Sequence, residues 1–172
     1  MLETYRYQHR SHDRGLRQDR ASKEKIVHAL AAHRQLLSQS RARIRTLTGR
    51  RNELAAQAIA DGVRISTVAA AIGETIPRVR SIALSFDDSM FANRAPGSAS
   101  ADRHLSALRK LALDLQSAIT ARESLENQLG VLVTHAYRLG YTDETHLAGL
   151  AGLSSESVHQ HLRSLRRSAT RQ

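Results

Sequence analysis

The chain has 172 residues, of which 41% are apolar and only 3% aromatic, with no Trp, no Cys and two prolines. Leu and Ala dominate the apolar set, which predicts an all-α fold over a β-sandwich or an α/β sheet. The absence of cysteine excludes disulfides, thiolate zinc sites and thiol catalysis. No apolar run approaches the roughly 20 residues that span a bilayer, and the first twenty residues lack the apolar core of a secretory signal, so a cytoplasmic protein is expected. The formal net charge of +10 is uneven: residues 1–86 hold 16 Lys/Arg against 7 Asp/Glu, and residues 87–172 hold 10 against 9. A basic excess of this kind predicts a polyanionic partner, for which nucleic acid is the first choice.

Residues 1–21 read as a basic arm. Arg6, Arg10, Arg14, Arg17 and Arg20 recur every three or four positions, interleaved with Tyr5, Tyr7, His9 and His12. The arm has too few apolar residues to fold alone and is suited to tracking a nucleic-acid backbone or a minor groove. From Ser22, read as an N-cap, the apolar residues Ile26, Leu30, Leu37, Ile44, Leu47, Leu54 and Ala58 keep to one helical face. Asp61-Gly62 ends that helix of about 40 residues, whose length is compatible with a bend near Thr48-Gly49. Two short helices are expected at about 66–72 and 76–85, the second with Thr75 as N-cap and Pro77 in its first turn. Residues 86–101, rich in Pro, Gly and Ser, read as a linker.

From Asp102 the plan starts again. Leu108, Leu111, Leu115, Ala118, Leu125, Leu129, Leu132 and Ala136 form a near-heptad seam that closes at Leu139-Gly140. Such a seam wants a partner helix; the first long helix of the same chain is the obvious one, giving a coiled-coil-like hairpin, and the equivalent helix of another chain in a homo-oligomer would serve equally well. At an offset of 78 residues Leu30 pairs with Leu108, Leu37 with Leu115, Leu47 with Leu125, Leu54 with Leu132, Ala58 with Ala136 and Gly62 with Gly140. One inserted residue later, at an offset of 79, Ala69, Gly73 and Val79 match Ala148, Gly152 and Val158. The chain therefore reads as two tandem units, 22–85 and 102–172, each a long helix followed by a pair of short ones.

The four-and-six spacing of Ala69, Gly73 and Val79, and of its second copy, fits a helix-turn-helix as well as an ordinary helical hairpin; the duplication favours the former. In that motif the second helix reads base edges. The readers by position are Thr75, Ile76, Pro77, Arg78, Arg80 and Ser81 in the first unit, and Ser154, Ser155, Glu156, Ser157, His159 and Gln160 in the second. Arg78 and Arg80 are chemically matched to guanine and Gln160 to adenine. Arg50, Arg51, Arg64, Arg163, Arg166, Arg167 and Arg171 are phosphate candidates. No metal site is expected, since His159 and His161 stand two apart and His28 and His33 five apart, neither at the i, i+4 spacing of a zinc-gripping helix. No catalytic constellation, cofactor fingerprint or small-molecule site is evident, so an enzyme is not expected.

On these residues the chain resembles the helix-turn-helix superfamily of bacterial and phage regulators, nearest to small trihelical, homeodomain-like domains and the promoter-reading region of sigma factors. The resemblance covers about residues 50–85 and 128–168 and implies sequence-specific recognition of double-stranded DNA. The chain departs from it at Glu74 and at His161, both at sites usually apolar. Two functions are therefore expected in competition. One is a transcriptional regulator using two unlike modules. The other is an oligomeric DNA-binding assembly protein, of the small-terminase or plasmid-partition kind, whose second module makes protein contacts.

Overall fold

The computed structural model describes the backbone of residues 3–86 and 98–169, and the side chains of residues 18–86 and 101–163. Six helices follow in order: α1 Glu3–Ala60, α2 Ile65–Ile72, α3 Ile76–Leu84, α4 Ser98–Arg138, α5 Glu144–Ala151 and α6 Ser155–Ala169. The fold is all-α, with no strand among the described residues.

Two expected boundaries are corrected. The basic arm is not a separate segment, because α1 starts at Glu3, and Ser22 lies inside that helix, not at its cap. Propagating an existing helix adds one hydrogen bond for each residue fixed, so a polar extension can continue from a packed stretch without an apolar face of its own. An i, i+4 pair supports it, Arg20 Nε lying 3.2 Å from Glu24 Oε1. The helix also runs unbroken through Thr48-Gly49, where one internal glycine costs about 1 kcal/mol. At the other end of the linker, α4 begins at Ser98 and not at Asp102.

The chain forms two compact units, residues 39–122 and residues 1–38 with 123–172. These do not coincide with the sequence repeats. In the 39–122 unit, Val68, Ala69 and Ile72 of α2 and Val79 and Ile82 of α3 close on Ala55 and Ala58 of α1 and on Leu108 of α4. In the other unit, Leu147, Ala148 and Ala151 of α5 and Val158 and Leu162 of α6 close on Leu129, Val133 and Ala136 of α4 and on Ile26, Leu30 and Leu37 of α1. Each short-helix pair is thus completed by a stretch of long helix from the other repeat. Each fully buried Leu or Val contributes roughly 1.5–3 kcal/mol, so these borrowed residues are part of what holds each unit. Parts of the α4 seam, Leu108 in one unit and Leu129 and Ala136 in the other, thus pack with the chain's own α1. The two helices run antiparallel where they meet in the second unit: Lys23 lies beside Gly140, and His33 Nε2 stands 3.3 Å from Gln128 Oε1.

The repeat reappears as matched burial. Leu30 and Leu108, Leu37 and Leu115, Ala58 and Ala136, Ala69 and Ala148, and Val79 and Val158 are buried in both copies. The turns match too. Gly73 (φ 68°) and Gly152 (φ 65°) adopt the left-handed conformation that ends α2 and α5, which a residue with a Cβ rarely takes. Glu74 N then bonds Ala69 O at 3.1 Å, and Leu153 N bonds Ala148 O at 3.1 Å. The small residue of the motif thus carries the carbonyl that closes the turn.

Candidate nucleic-acid interface

Thr75, Ile76, Pro77, Arg78, Arg80 and Ser81 all lie at or within α3 and are all exposed. Thr75 occupies the N-cap position as expected, with extended backbone but no side-chain capping bond, and Pro77 lies in the first turn. Val79 and Ile82 face the core. At 3.6 residues per turn their burial directs Pro77, Arg80, Ser81 and Leu84 outward and leaves Ile76 and Arg78 on the two flanks. Ile76 is 45% exposed and Leu84 81%. Pro77, Arg80, Ser81, Leu84 and Ser85 line a shallow groove of about 430 Å³. Arg64, the residue before α2, and Arg50 on α1 are exposed and belong to the same compact unit.

Arg51 does not belong to this surface. It is 7% exposed, and its guanidinium lies 3.1 Å from Glu74 Oε1 while donating to Asn52 Oδ1 at 3.1 and 3.3 Å. A guanidinium held this way is not available to a phosphate. The same pair accounts for the departure at the turn, since Glu74 is tolerated there because Arg51 reaches it. In the other unit the equivalent positions carry Leu129 and Leu153, which join the apolar core. A signal for this existed in the sequence, for the 78- and 79-residue offsets place Arg51 over Leu129 and Glu74 over Leu153.

The second reading set is differently disposed. Ser154, Ser155, Glu156 and Gln160 are exposed, whereas Ser157 and His159 are half-buried. Ser154 Oγ accepts from Ser157 N at 3.2 Å and lies 2.8 Å from Ser157 Oγ, so both serines serve the start of α6. His159 Nδ1 lies 3.0 Å from Glu144 Oε2, and Gln160 Nε2 donates to Glu156 Oε1 at 3.3 Å. Arg163 is exposed. The side chains of Arg166 and Arg167, those of the first seventeen residues, and Arg171 lie outside the described residues. The other departure, His161, stacks over α4: a Cβ on Gly130 would meet its ring at 2.9 Å.

Asp143, an acid placed just ahead of a short helix where such residues are favoured as caps, caps α5, accepting from Thr145 N at 2.9 Å and His146 N at 3.2 Å. Two contacts lie outside what the local sequence pattern indicates. Arg34 of α1 covers the α5–α6 turn, its Nη1 donating to Gly149 O at 3.1 Å. His104 Nε2 lies 2.7 Å from Asp61 Oδ2 in a nearly buried pair between α4 and the end of α1. The equivalent positions in the other unit are Ile26 and Leu139, both part of its apolar core. Among the described residues no three His, Asp or Glu side chains gather as a metal site, and no helix is long and apolar enough to cross a membrane. Comparison with protein-family models, with curated proteins and with solved structures finds no match for this chain.

Proposed function

We propose that the chain is a sequence-specific double-stranded DNA-binding protein, a transcriptional regulator of bacterial or phage type, and that α3 is its principal reading helix. The observation that carries this is the outward face of α3. It presents Arg80 and Ser81 with Arg78 on its flank, on a nine-residue helix fixed from behind by Val79 and Ile82. Arg50 and Arg64 are the phosphate-holding residues in this reading. The function is one of binding, with no catalytic role and no cofactor.

A specific observation favours a different use for α6. Ser157, His159 and Gln160 are engaged within their own unit, and two of the partners, Glu144 and Glu156, are carboxylates that would repel a phosphate backbone. Residues 123–172 therefore suit protein contacts, as in a DNA-binding assembly protein, better than they suit a second groove.

Selection of bound duplexes from a random pool, followed by footprinting, tests the proposal. A defined sequence should emerge, and affinity should fall on the order of 10³-fold or more between 50 and 200 mM salt if six or more phosphates are held. Binding that selects no sequence, or that ignores salt, would refute it.

A further inference from the structure

We propose that α3 reads thymine methyl groups together with guanine: Ile76 and Leu84 seat the C5-methyls of two thymines, and Arg80 between them takes the guanine edge. This rests on the reading of α3 as the groove-entering helix, and its test can fail while that reading stands.

Ile76, Arg80 and Leu84 succeed one another at i, i+4 and i+8 along one side of α3. At 1.5 Å per residue, each apolar residue stands about 6 Å along the axis from Arg80. That is close to two steps of 3.4 Å along a duplex strand. Both apolar side chains are exposed, Ile76 by 45% and Leu84 by 81%. A purely apolar partner surface would cover them only by desolvating the guanidinium between them, a costly burial without a compensating anion. The major groove offers both chemistries in alternation, since thymine presents a methyl group and guanine presents O6 and N7 to a bidentate arginine. The exposed cations Arg50, Arg64 and Arg78 in the same unit match the flanking phosphates. The matching positions of α6 carry Ser155, His159 and Arg163, with no apolar side chain among them, so methyl reading belongs to α3 alone.

The experiment uses the full chain and the duplex it selects from a random pool, with each thymine replaced in turn by deoxyuridine, which removes only the methyl. Affinity should drop about fourfold at thymines on both sides of a guanine, the worth of one buried methyl. The double variant Ile76→Ala/Leu84→Ala should bind thymine and uracil duplexes alike while keeping its salt dependence. Arg80→Ala should lose roughly tenfold or more of its preference at the guanine. Because the three side chains are exposed, circular dichroism of these variants should match that of the parent. The inference is overturned if no uracil substitution changes affinity, or if uracil sensitivity survives in the double variant; either result leaves sequence-specific DNA binding intact. Failure to select any duplex overturns the proposed function as well.

Discussion

The buried Arg51–Glu74 pair can be replaced by the residues that its own repeat uses elsewhere, and the outcome can be ordered in advance. Arg51 has a side chain 9% exposed and Glu74 one 30% exposed, 3.1 Å apart. Glu74→Leu strands a buried guanidinium with Asn52 as its remaining hydrogen-bond partner. Loss of one partner from a fully buried pair costs about 3–5 kcal/mol, and the partial exposure of Glu74 reduces this to about 2–3 kcal/mol. Arg51→Leu strands only the better-solvated carboxylate, so it should cost about 1 kcal/mol. The double replacement recreates the Leu129–Leu153 arrangement and should be neutral or stabilising, as when a buried ion pair gives way to apolar residues of similar volume. For a chain of this size 1 kcal/mol moves the midpoint by about 2–4 °C. Thermal melts by circular dichroism should therefore rank Glu74→Leu lowest, Arg51→Leu intermediate, and the double variant level with or above the parent. The coupling from the double-mutant cycle should exceed about 1 kcal/mol. A coupling near zero, or a double variant as unstable as the sum of the singles, would refute the assignment of this pair to the core.

Gly152→Ala should lower the midpoint more than Gly73→Ala, as read by the same melts. Both force a Cβ into the left-handed region, but at Gly152 it would also meet Arg34 Cγ at 2.8 Å, whereas Gly73 has nothing within 4 Å. Gly49→Ala, in open space within α1, should stabilise by up to about 1 kcal/mol. Gly130→Ala should fail to gain this because of the His161 ring at 2.9 Å, and adding His161→Ala should restore the gain in a denaturant titration. Polypeptides 1–86 and 98–172, made separately, should each be poorly folded and should gain helical ellipticity on mixing, because each core needs residues from both. Cooperative melting of either fragment alone, with no change on mixing, would count against the exchange of long-helix segments.

The framework was legible because it is written twice. The offsets that pair Leu30 with Leu108 and Ala58 with Ala136 select residues that are buried in both units, and the glycines of the two turns stand where their spacing placed them. Helical extent was not legible at the amino terminus. The search for an apolar face assigns residues 1–21 to an arm, but a helix already anchored by Ile26 and Leu30 can continue through polar residues. The role of Arg51 was hidden by its neighbour. Arg50 and Arg51 are the same residue type on the same helix, and one position of rotation, about 100°, separates a solvated cation from a core one. The pairing of the two long helices was legible from the seam, but its register was not, because the contacts that set it join residues far apart in sequence, such as His33 with Gln128. Local periodicity carries no information about such partners.

The two units differ in a patterned way that bears on what each does. Within the frame, differences come as compensated pairs: Arg51 with Glu74 against Leu129 with Leu153, and Asp61 with His104 against Leu139 with Ile26. A change at one member alone would leave the other charge or polar group without its partner, a cost that the paired change avoids. In the second case the two members lie on different repeats, and the repeats are therefore constrained by each other as well as by their own folds. Along the exposed positions of α3 and α6 the differences are broader, and His159 of α6 has an ion-pair partner, Glu144, of its own. Pro77, Arg78, Arg80 and Leu84 stand against Glu156, Ser157, His159 and Arg163, with apolar, cationic and acidic character exchanged freely. Retention of the frame with unrestrained change of the exposed face is what physical constraint predicts when the two helices meet different surfaces. It fits the proposed division of roles, with the exposed arginines on α3 and the His159–Glu144 and Gln160–Glu156 pairs on α6.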